Sequence, residues 1–425
     1  MITLGIETSC DETALSLIET RERDGYFECK VIASLIHSQA ELHSSFGGVY
    51  PALAKREHGR NLLPLLRKLL EQNKEVYGDK PVHISDSDFD NRMNQVKEKY
   101  ANRNADLFAS FTDTDFLKIV PNIDKIAITE GPGLEPALWV GISFGEILSI
   151  IWSDPRNLTS RKIPVIPVNH MEGHIVGSLL SSDVEMGEWQ RLKQIHFPAL
   201  ALLISGGHTE LVKIENNSNN KDPLNLNYSI IGQTKDDAVG EAFDKVARLL
   251  GLLYPGGPHV SKLAKEAEEH SLVSPIKLPR PMINSGDLNF SFSGLKTAVL
   301  YAVRDEEKKN GSLSDDWKRA LAREFEQSVM ETLDTKLRQA IEEVDAKTII
   351  IGGGVIANIT LRQAFEALAQ EYNVPLYLPS SHISGDNALM IALAGALDND
   401  KHDRMLKADG TKRLNAELPL DRLFR

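Results

Sequence analysis

Residues Ile2-Thr3-Leu4-Gly5-Ile6-Glu7-Thr8-Ser9-Cys10-Asp11-Glu12-Thr13-Ala14-Leu15-Ser16-Leu17-Ile18 decide how this chain is read. Two apolar-rich runs flank the turn Ser9-Cys10-Asp11-Glu12, a pattern that predicts two tightly joined strands. A second stretch, Ala199 to Ile214, has the same form around Ser205-Gly206-Gly207-His208. At an offset of 196 residues, Ser9 falls on Ser205, Thr13 on Thr209, Leu15 on Leu211, Ile18 on Ile214 and Glu19 on Glu215. The repeat predicts an internal duplication. It implies two related α/β lobes, residues 1–195 and 196–425, each opening with a hairpin whose turn faces a shared cleft.

Turns rich in Gly, Ser and Thr expose backbone N–H groups and hydroxyls to a phosphate with little steric obstruction. The first turn differs because Asp11 and Glu12 make it acidic, which implies a cation, a base or a repulsion that tunes a ligand's position. A third glycine turn, Gly352 to Asn358, follows the apolar run Thr348 to Ile351 and precedes a helix with Leu361, Phe365 and Leu368 on one face. Strand, glycine turn and helix is a frequent nucleotide-contact arrangement. Pro136 to Trp152 and Asp315 to Val344 read as helices. The latter repeats Leu321, Phe325, Val329, Leu333, Leu337 and Ile341 every four residues, as a core face does. Gly78 to Lys118 is polar and charged and reads as an insertion in the first lobe. The asparagine-rich run Asn216 to Asn227 reads as a loop.

His170-Met171-Glu172-Gly173-His174 carries two imidazoles four apart at a predicted helix start. Positions i and i+4 lie one above the other, so both rings can reach one metal ion. Zinc proteases place a glutamate next to one of their histidines, where it reaches the metal-bound water. Here Glu172 sits midway and projects from another face, so the pair suggests a metal site and argues against that kind of hydrolysis.

Composition sets the bounds. The chain has 425 residues, 42% of them hydrophobic, enough for two packed domains. A formal net charge of -12 excludes a protein that coats nucleic acid by bulk electrostatics. An RNA partner would need a local basic patch or help from another subunit. Cys10 and Cys29 are the two cysteines and form no C-x-x-C pair, which fits a reducing compartment. No secretory or transit signal is evident at the N-terminus. The longest apolar stretch, Ala137 to Trp152, is interrupted by Glu146 and is shorter than the ~20 residues a membrane span needs. A cytoplasmic location without membrane contact is the expectation.

Further motifs are Thr129-Glu130-Gly131-Pro132-Gly133-Leu134, Leu203 to Thr209, Asp237 to Lys245, Tyr254-Pro255-Gly256-Gly257-Pro258, Phe290 to Thr297, and Gly385-Asp386-Asn387-Ala388. With Gly5 to Thr13, His170 to His174 and Gly352 to Asn358, in this order along nearly the whole chain, they resemble the universal tRNA threonylcarbamoyladenosine transferase family in its bacterial form. That resemblance implies the α/β actin-like, sugar-kinase and Hsp70-type ATPase fold of two duplicated lobes around a nucleotide cleft. It implies a metal on His170 and His174 with Asp386 as third ligand, Fe2+ first and Zn2+ as an alternative. It also implies that Leu203, Ile204, Ser205, Gly206, Gly207, Asp244, Gly257 and Asn358 hold the nucleotide-like donor. The chemistry suits them: the 205–207 turn presents N–H donors, Asp244 can accept from ribose hydroxyls, and Asn358 can bond donor and acceptor edges.

The activity so implied is transfer of a threonylcarbamoyl group from threonylcarbamoyl-AMP to N6 of an adenosine beside the tRNA anticodon, with release of AMP. The exocyclic amine is a weak nucleophile, so positioning, metal polarisation and proton removal must supply catalysis. Asp11 or Glu12 is the candidate base. The implied partners are tRNA, an inactive paralogue, a small ATPase and a separate synthase that makes the adenylate. Three rivals stay open: a small-molecule kinase of the same fold, a metal-dependent glycoprotein endopeptidase, and a non-enzymatic nucleotide-binding scaffold.

Overall fold

The computed structural model describes residues 1–152, 162–180, 185–216, 226–381 and 383–398. Contacts divide the chain into two compact units. The first contains β1 (Ile2–Glu7), β2 (Glu12–Arg23), β3 (Tyr26–Ser38), β4 (Val82–His83), β5 (Ile119–Val120), β6 (Lys125–Gly131), β7 (Val165–Asn169) and β8 (Trp189–Arg191). Its main sheet runs β7-β6-β1-β2-β3-β8, while β4 and β5 pair separately. The second unit contains β9 (Ala199–Ile204), β10 (Thr209–Asn216), β11 (Leu226–Gln233), β12 (Thr348–Gly352) and β13 (Leu376–Tyr377), in the order β11-β10-β9-β12-β13.

The duplication extends to hydrogen-bond register. In the first hairpin Thr3 faces Ile18, Gly5 faces Ser16 and Ile6 faces Leu15. In the second, Ala199 faces Ile214, Ala201 faces Val212 and Leu202 faces Leu211, the same pairs displaced by the offset of the repeat. Each hairpin's first strand also takes a parallel neighbour, β6 on β1 and β12 on β9. Parallel neighbours require crossover connections. Helices Glu135–Ile151 and Ile359–Tyr372 supply them between β6 and β7 and between β12 and β13. Both units thus share one five-strand order, which makes the fold α/β and duplicated, as in the actin-like proteins.

The long predicted helix spans Asp315–Val344, and Ser314 caps it by accepting from Trp317 N. Leu321, Phe325, Val329, Leu333, Leu337 and Ile341 are all buried in the second core. The helix predicted over Pro136 to Trp152 runs Glu135–Ile151. Within the polar segment 78–118, helix Asp86–Tyr100 and the short helix Ala105–Ala109 bury Phe89, Val96, Tyr100 and Leu107 in the first core. The Tyr100 hydroxyl donates to Glu146 at 2.6 Å. The segment is therefore packed into its unit by a few apolar side chains rather than by its overall composition. Of the run read as a loop between Asn216 and Asn227, Asn216 ends β10 and Leu226 begins β11, and residues 217–225 lie outside the described ones.

The expected single division near 195 does not describe the chain. Residues 386–398 belong to the first unit, and Ala40–Gly48 belongs to the second, where Arg248 donates to the Gly47 carbonyl. The reason for the first return is close packing of helix Ala388–Leu397 on the first sheet. A Cβ on Gly5 would lie 2.2 Å from Ala388 O, and one on Gly395 would lie 2.4 Å from Ala127 Cβ, so only glycine lets the helix come this near. Buried Lys125 then donates to the carbonyls of Gly395 (3.1 Å), Ala396 (3.2 Å) and Asp398 (3.0 Å), where a helix C-terminus leaves acceptors unpaired. This docking fixes where Asp386, two residues before the helix, must lie. Among the described residues no helix is long and apolar enough to cross a membrane.

Candidate metal centre and glycine turns

Helix His170–Gly177 starts directly after β7, and Asn169 caps it by accepting from Met171 N at 2.8 Å and Glu172 N at 3.3 Å. One helical turn separates His170 and His174, whose ring centroids lie 4.8 Å apart at 82°. Asp386 Oδ1 is 3.3 Å from His170 Nε2 and 3.2 Å from His174 Nε2. Within the first unit the structure therefore brings together the two histidines and the remote carboxylate, with one ligand atom from each inside 4.8 Å of the others. Glu172 is not among the converging groups.

Glu7 completes this centre, and the sequence reading gave it no role. Its Oε2 is 3.1 Å from His170 Nδ1 and accepts from Thr129 Oγ1 at 2.6 Å, while its Oε1 accepts from Ser9 N at 2.5 Å. A carboxylate only accepts, so Nδ1 carries a proton, and in the neutral ring Nε2 then turns its lone pair toward Asp386, the tautomer a metal ligand needs. His174 Nε2 is buried and lacks a directed hydrogen bond even though Asp386 Oδ1 is close. Two imidazole nitrogens and a carboxylate oxygen converging in a buried place form an arrangement that a cation satisfies. Electrostatics agree. Burial disfavours a charged His170, but Asp386 and Glu7 outweigh it and hold this imidazole well above its ordinary pKa. Burial keeps His174 below its own, with His170 adding to the effect. Burial would likewise raise Asp386, but the two histidines pull it down. The two carboxylates thus favour positive charge between the rings, and a divalent ion fits the donor set of two imidazoles and one carboxylate.

The acidic turn belongs to the same site. Ser9 Oγ is 3.4 Å from His170 Nδ1, and Ser9 O accepts from Leu134 N at 2.7 Å. Asp11 is buried. Glu12 Oε1 accepts from Ser38 Oγ at 3.3 Å, and its carboxyl is held well above the usual range by burial, then by the charges of Asp11 and Asp386. Burial and the same acids push the Cys10 thiol up. The acidic turn therefore stands near His170 and Asp386 in their own unit.

In the second unit, Leu203 and Ile204 are buried at the end of β9. The following turn closes through Ser205 N to His208 O at 2.9 Å and His208 N to Ser205 Oγ at 3.1 Å. Nothing lies within 4 Å of where Gly206 or Gly207 would carry a Cβ, so their backbone is bare on that side. Gly240, at the start of helix Val239–Leu249, donates to Ser205 O at 3.2 Å. Gly353, with φ +95°, approaches Ile204 O so closely that a Cβ would lie 2.4 Å away. The ends of β9 and β12 thus collect Leu203 to Gly207, Gly240 and Gly353. Asp244 Oδ1 accepts from Gly256 N at 2.7 Å, at the start of helix Gly256–Glu269, and the Gly257 position faces open space. Asn358 is occupied by the fold: its Oδ1 accepts from Leu361 N at 2.9 Å, and its Nδ2 donates to Ser261 Oγ at 2.8 Å and Glu326 Oε1 at 2.6 Å.

Duplicated α/β units, one with a His-His-carboxylate centre and the other with open glycine turns, define an actin-like protein with a candidate metal site. Comparison with known sequences narrows this class. The family model described as TsaD, tRNA N6-adenosine threonylcarbamoyltransferase, matches residues 30–77 and 116–393 and omits most of the polar segment 78–118. A protein of that name from Methylobacillus flagellatus is 38% identical over 398 residues, covering 93% of this chain and 92% of the relative. Proteins of the same name from Burkholderia ambifaria and Chromobacterium violaceum are 37% and 36% identical, covering 96% and 93% of this chain and 95% and 93% of theirs. The chain belongs to the tRNA N6-adenosine threonylcarbamoyltransferase family.

Proposed function

We propose that this chain is an acyltransferase that moves the threonylcarbamoyl group of threonylcarbamoyl-AMP onto N6 of the adenosine beside the tRNA anticodon and releases AMP. The observation that carries the reading is 38% identity across 93% of the chain to a relative named for this activity. The N6 nitrogen bonds to the carbamoyl carbon, the bond from that carbon to the phosphate oxygen breaks, and AMP leaves with its electron pair. The N6 proton passes to a carboxylate of the acidic turn. Glu12 suits that task because burial, then the charges of Asp11 and Asp386, hold its carboxyl above the usual range and make its carboxylate a stronger base, and Asp11 is the alternative acceptor.

His170, His174 and Asp386 would hold one divalent ion, Fe2+ first and Zn2+ second, and the ion would supply Lewis-acid polarisation of the donor. Glu7 fixes the His170 ring for that purpose. The bare N–H groups of Gly206 and Gly207 bind the donor phosphate in the turn that Ser205 closes, with Leu203 and Ile204 setting the turn's position, and Asp244 and Gly257 line the nucleoside side. Partners are tRNA, an inactive paralogue, a small ATPase and the synthase that supplies the adenylate. The two cysteines are free, which agrees with a cytoplasmic location.

The test is mass spectrometry of tRNA incubated with the purified chain, synthase, threonine, bicarbonate and ATP, with and without the partner proteins. Threonylcarbamoyladenosine is the expected product, and its absence under every combination overturns the proposal. Near wild-type transfer by both Asp11→Ala and Glu12→Ala enzymes would remove the acidic turn from catalysis.

A further inference from the structure

The turn that carries Asp11 and Glu12 faces a physical problem. It sets two adjacent carboxylates, a buried Asp11 and a half-buried Glu12, in the unit that also holds Asp386. Like charges this close push a turn apart unless its backbone is held. Three consecutive carbonyls of the turn are each bound by a donor from a different element. Ser9 O accepts from Leu134 N at 2.7 Å, Asp11 O accepts from Gln39 N at 2.8 Å, and Cys10 O accepts from His58 Nε2 at 3.0 Å.

The third of these comes from a side chain. His58 lies on helix Pro51–Gln72 and is fully buried, as are Thr13 and Gln39. A carbonyl can only accept, so His58 Nε2 carries a proton, and in the neutral ring Nδ1 is then an acceptor. Thr13 Oγ1 lies 2.7 Å from that Nδ1 and donates to it. Gln39 Nε2 lies 3.4 Å from Thr13 Oγ1 and 3.2 Å from His58 Nδ1, closing the network from the end of β3. The second hairpin shows what the chain adds. There Thr209, the counterpart of Thr13, accepts from Val239 N at 2.9 Å, and Gly240 N holds the turn, so the glycine turn is braced by a helix start and the acidic turn by an imidazole.

We infer that Gln39, Thr13 and His58 form a buried positioning chain that holds the Cys10–Asp11 peptide, and through it the carboxylates of Asp11 and Glu12, in place beside Asp386. All three are fully buried, so they act through the turn. The effect on rate rests on the function proposed above, whereas the bracing itself does not.

Two readouts on the full-length enzyme test it. In the tRNA assay, Thr13→Val removes the hydroxyl at near-constant volume and lowers kcat about tenfold, with KM for tRNA and donor within about twofold, while Thr13→Ser restores the rate. His58→Gln keeps a donor and falls between wild type and His58→Ala. Separately, in a Cys29→Ser background, alkylation of Cys10 by iodoacetamide rises at least about fivefold in Thr13→Val and His58→Ala and returns to the wild-type rate in Thr13→Ser, because a released turn exposes its thiol. Alkylation of Cys29 in a Cys10→Ser background stays unchanged. An unaltered Cys10 rate in Thr13→Val, or an equal rise at Cys29, overturns the inference even if the wild-type chain proves to transfer nothing. A wild-type chain without transfer but with the expected alkylation pattern overturns only the proposed function. If His58→Ala does not fold, the threonine pair decides.

Discussion

Glu7 Oε2 lies 3.1 Å from His170 Nδ1, at the end of a strand whose other residues from Thr3 onward are uncharged and buried. A fully buried carboxylate is costly unless it is paired, and this one is bound by Thr129, Ser9 N and the imidazole. Its role follows from the pairing: in the neutral ring it selects the tautomer that aims His170 Nε2 at Asp386, the place proposed for a metal. Glu7→Gln, which keeps the shape but removes the charge, is therefore expected to weaken binding of Zn2+ or Fe2+ by roughly 10–100-fold while His170, His174 and Asp386 stay intact. Titration against a competing chelator measures this. An unchanged affinity would mean that the ring is held by packing alone.

The hairpins and the long helix were legible because their signals are local. Alternating apolar residues around a tight turn, and leucines spaced by four over Asp315–Val344, need no knowledge of what lies elsewhere. Asp386 was not legible that way, since about two hundred residues separate it from His174, and only the family resemblance supplied it. Glu7 did leave a signal, a lone acid in an apolar strand, which pattern reading passes over as a strand end. His58 left none, because a histidine on the inner face of an amphipathic helix looks like any other core residue. The return of the last helix to the first unit depends on Gly5 facing Ala388 and Gly395 facing Ala127, a relation that appears only after folding.

Gly353 is the glycine of the third turn for which substitution should be most damaging. Its φ of +95° with ψ of 157° is nearly closed to other residues, and a Cβ would meet Ile204 O at 2.4 Å. Gly353→Ala should lower stability by about 2–3 kcal/mol, read as a reduced urea midpoint. Gly257→Ala is the matched control. That position is open and at the start of a helix, so stability should change by no more than about 0.5 kcal/mol while KM for the donor rises. Loss of stability in both variants alike would argue against the turn geometry.

Acid stability should report Asp287. Ser285 Oγ and the Asn289 side chain donate to its carboxylate, and Lys336 Nζ lies 3.9 Å away, so its pKa is lowered to about 2. A group depressed in the folded state stabilises above its unfolded pKa, near about 3.9, and loses that contribution as pH falls through the folded value. Wild-type melting temperature should therefore drop more steeply between pH about 4 and about 2 than that of Asp287→Asn, with the two curves parallel above pH about 5. Parallel curves throughout would show that the Ser285 and Asn289 contacts do not persist in solution.

Asn358 distinguishes ligand contact from scaffold. Family resemblance places it among the donor-binding residues, but both ends of its amide are engaged, one capping helix Ile359–Tyr372 and the other tying Ser261 to the buried Glu326. Removing a cap of this kind costs about 1–2 kcal/mol, and among the described residues Glu326 would keep its bond from Thr360 Oγ1 alone. Asn358→Ala is thus expected to lower the melting temperature by several degrees with KM for threonylcarbamoyl-AMP unchanged at temperatures where the variant is folded. Asn358→Asp, which retains the cap but sets a second carboxylate 2.6 Å from Glu326, should be no more stable than the alanine variant. The opposite pattern, full stability with a raised KM, would return the side chain to the donor site.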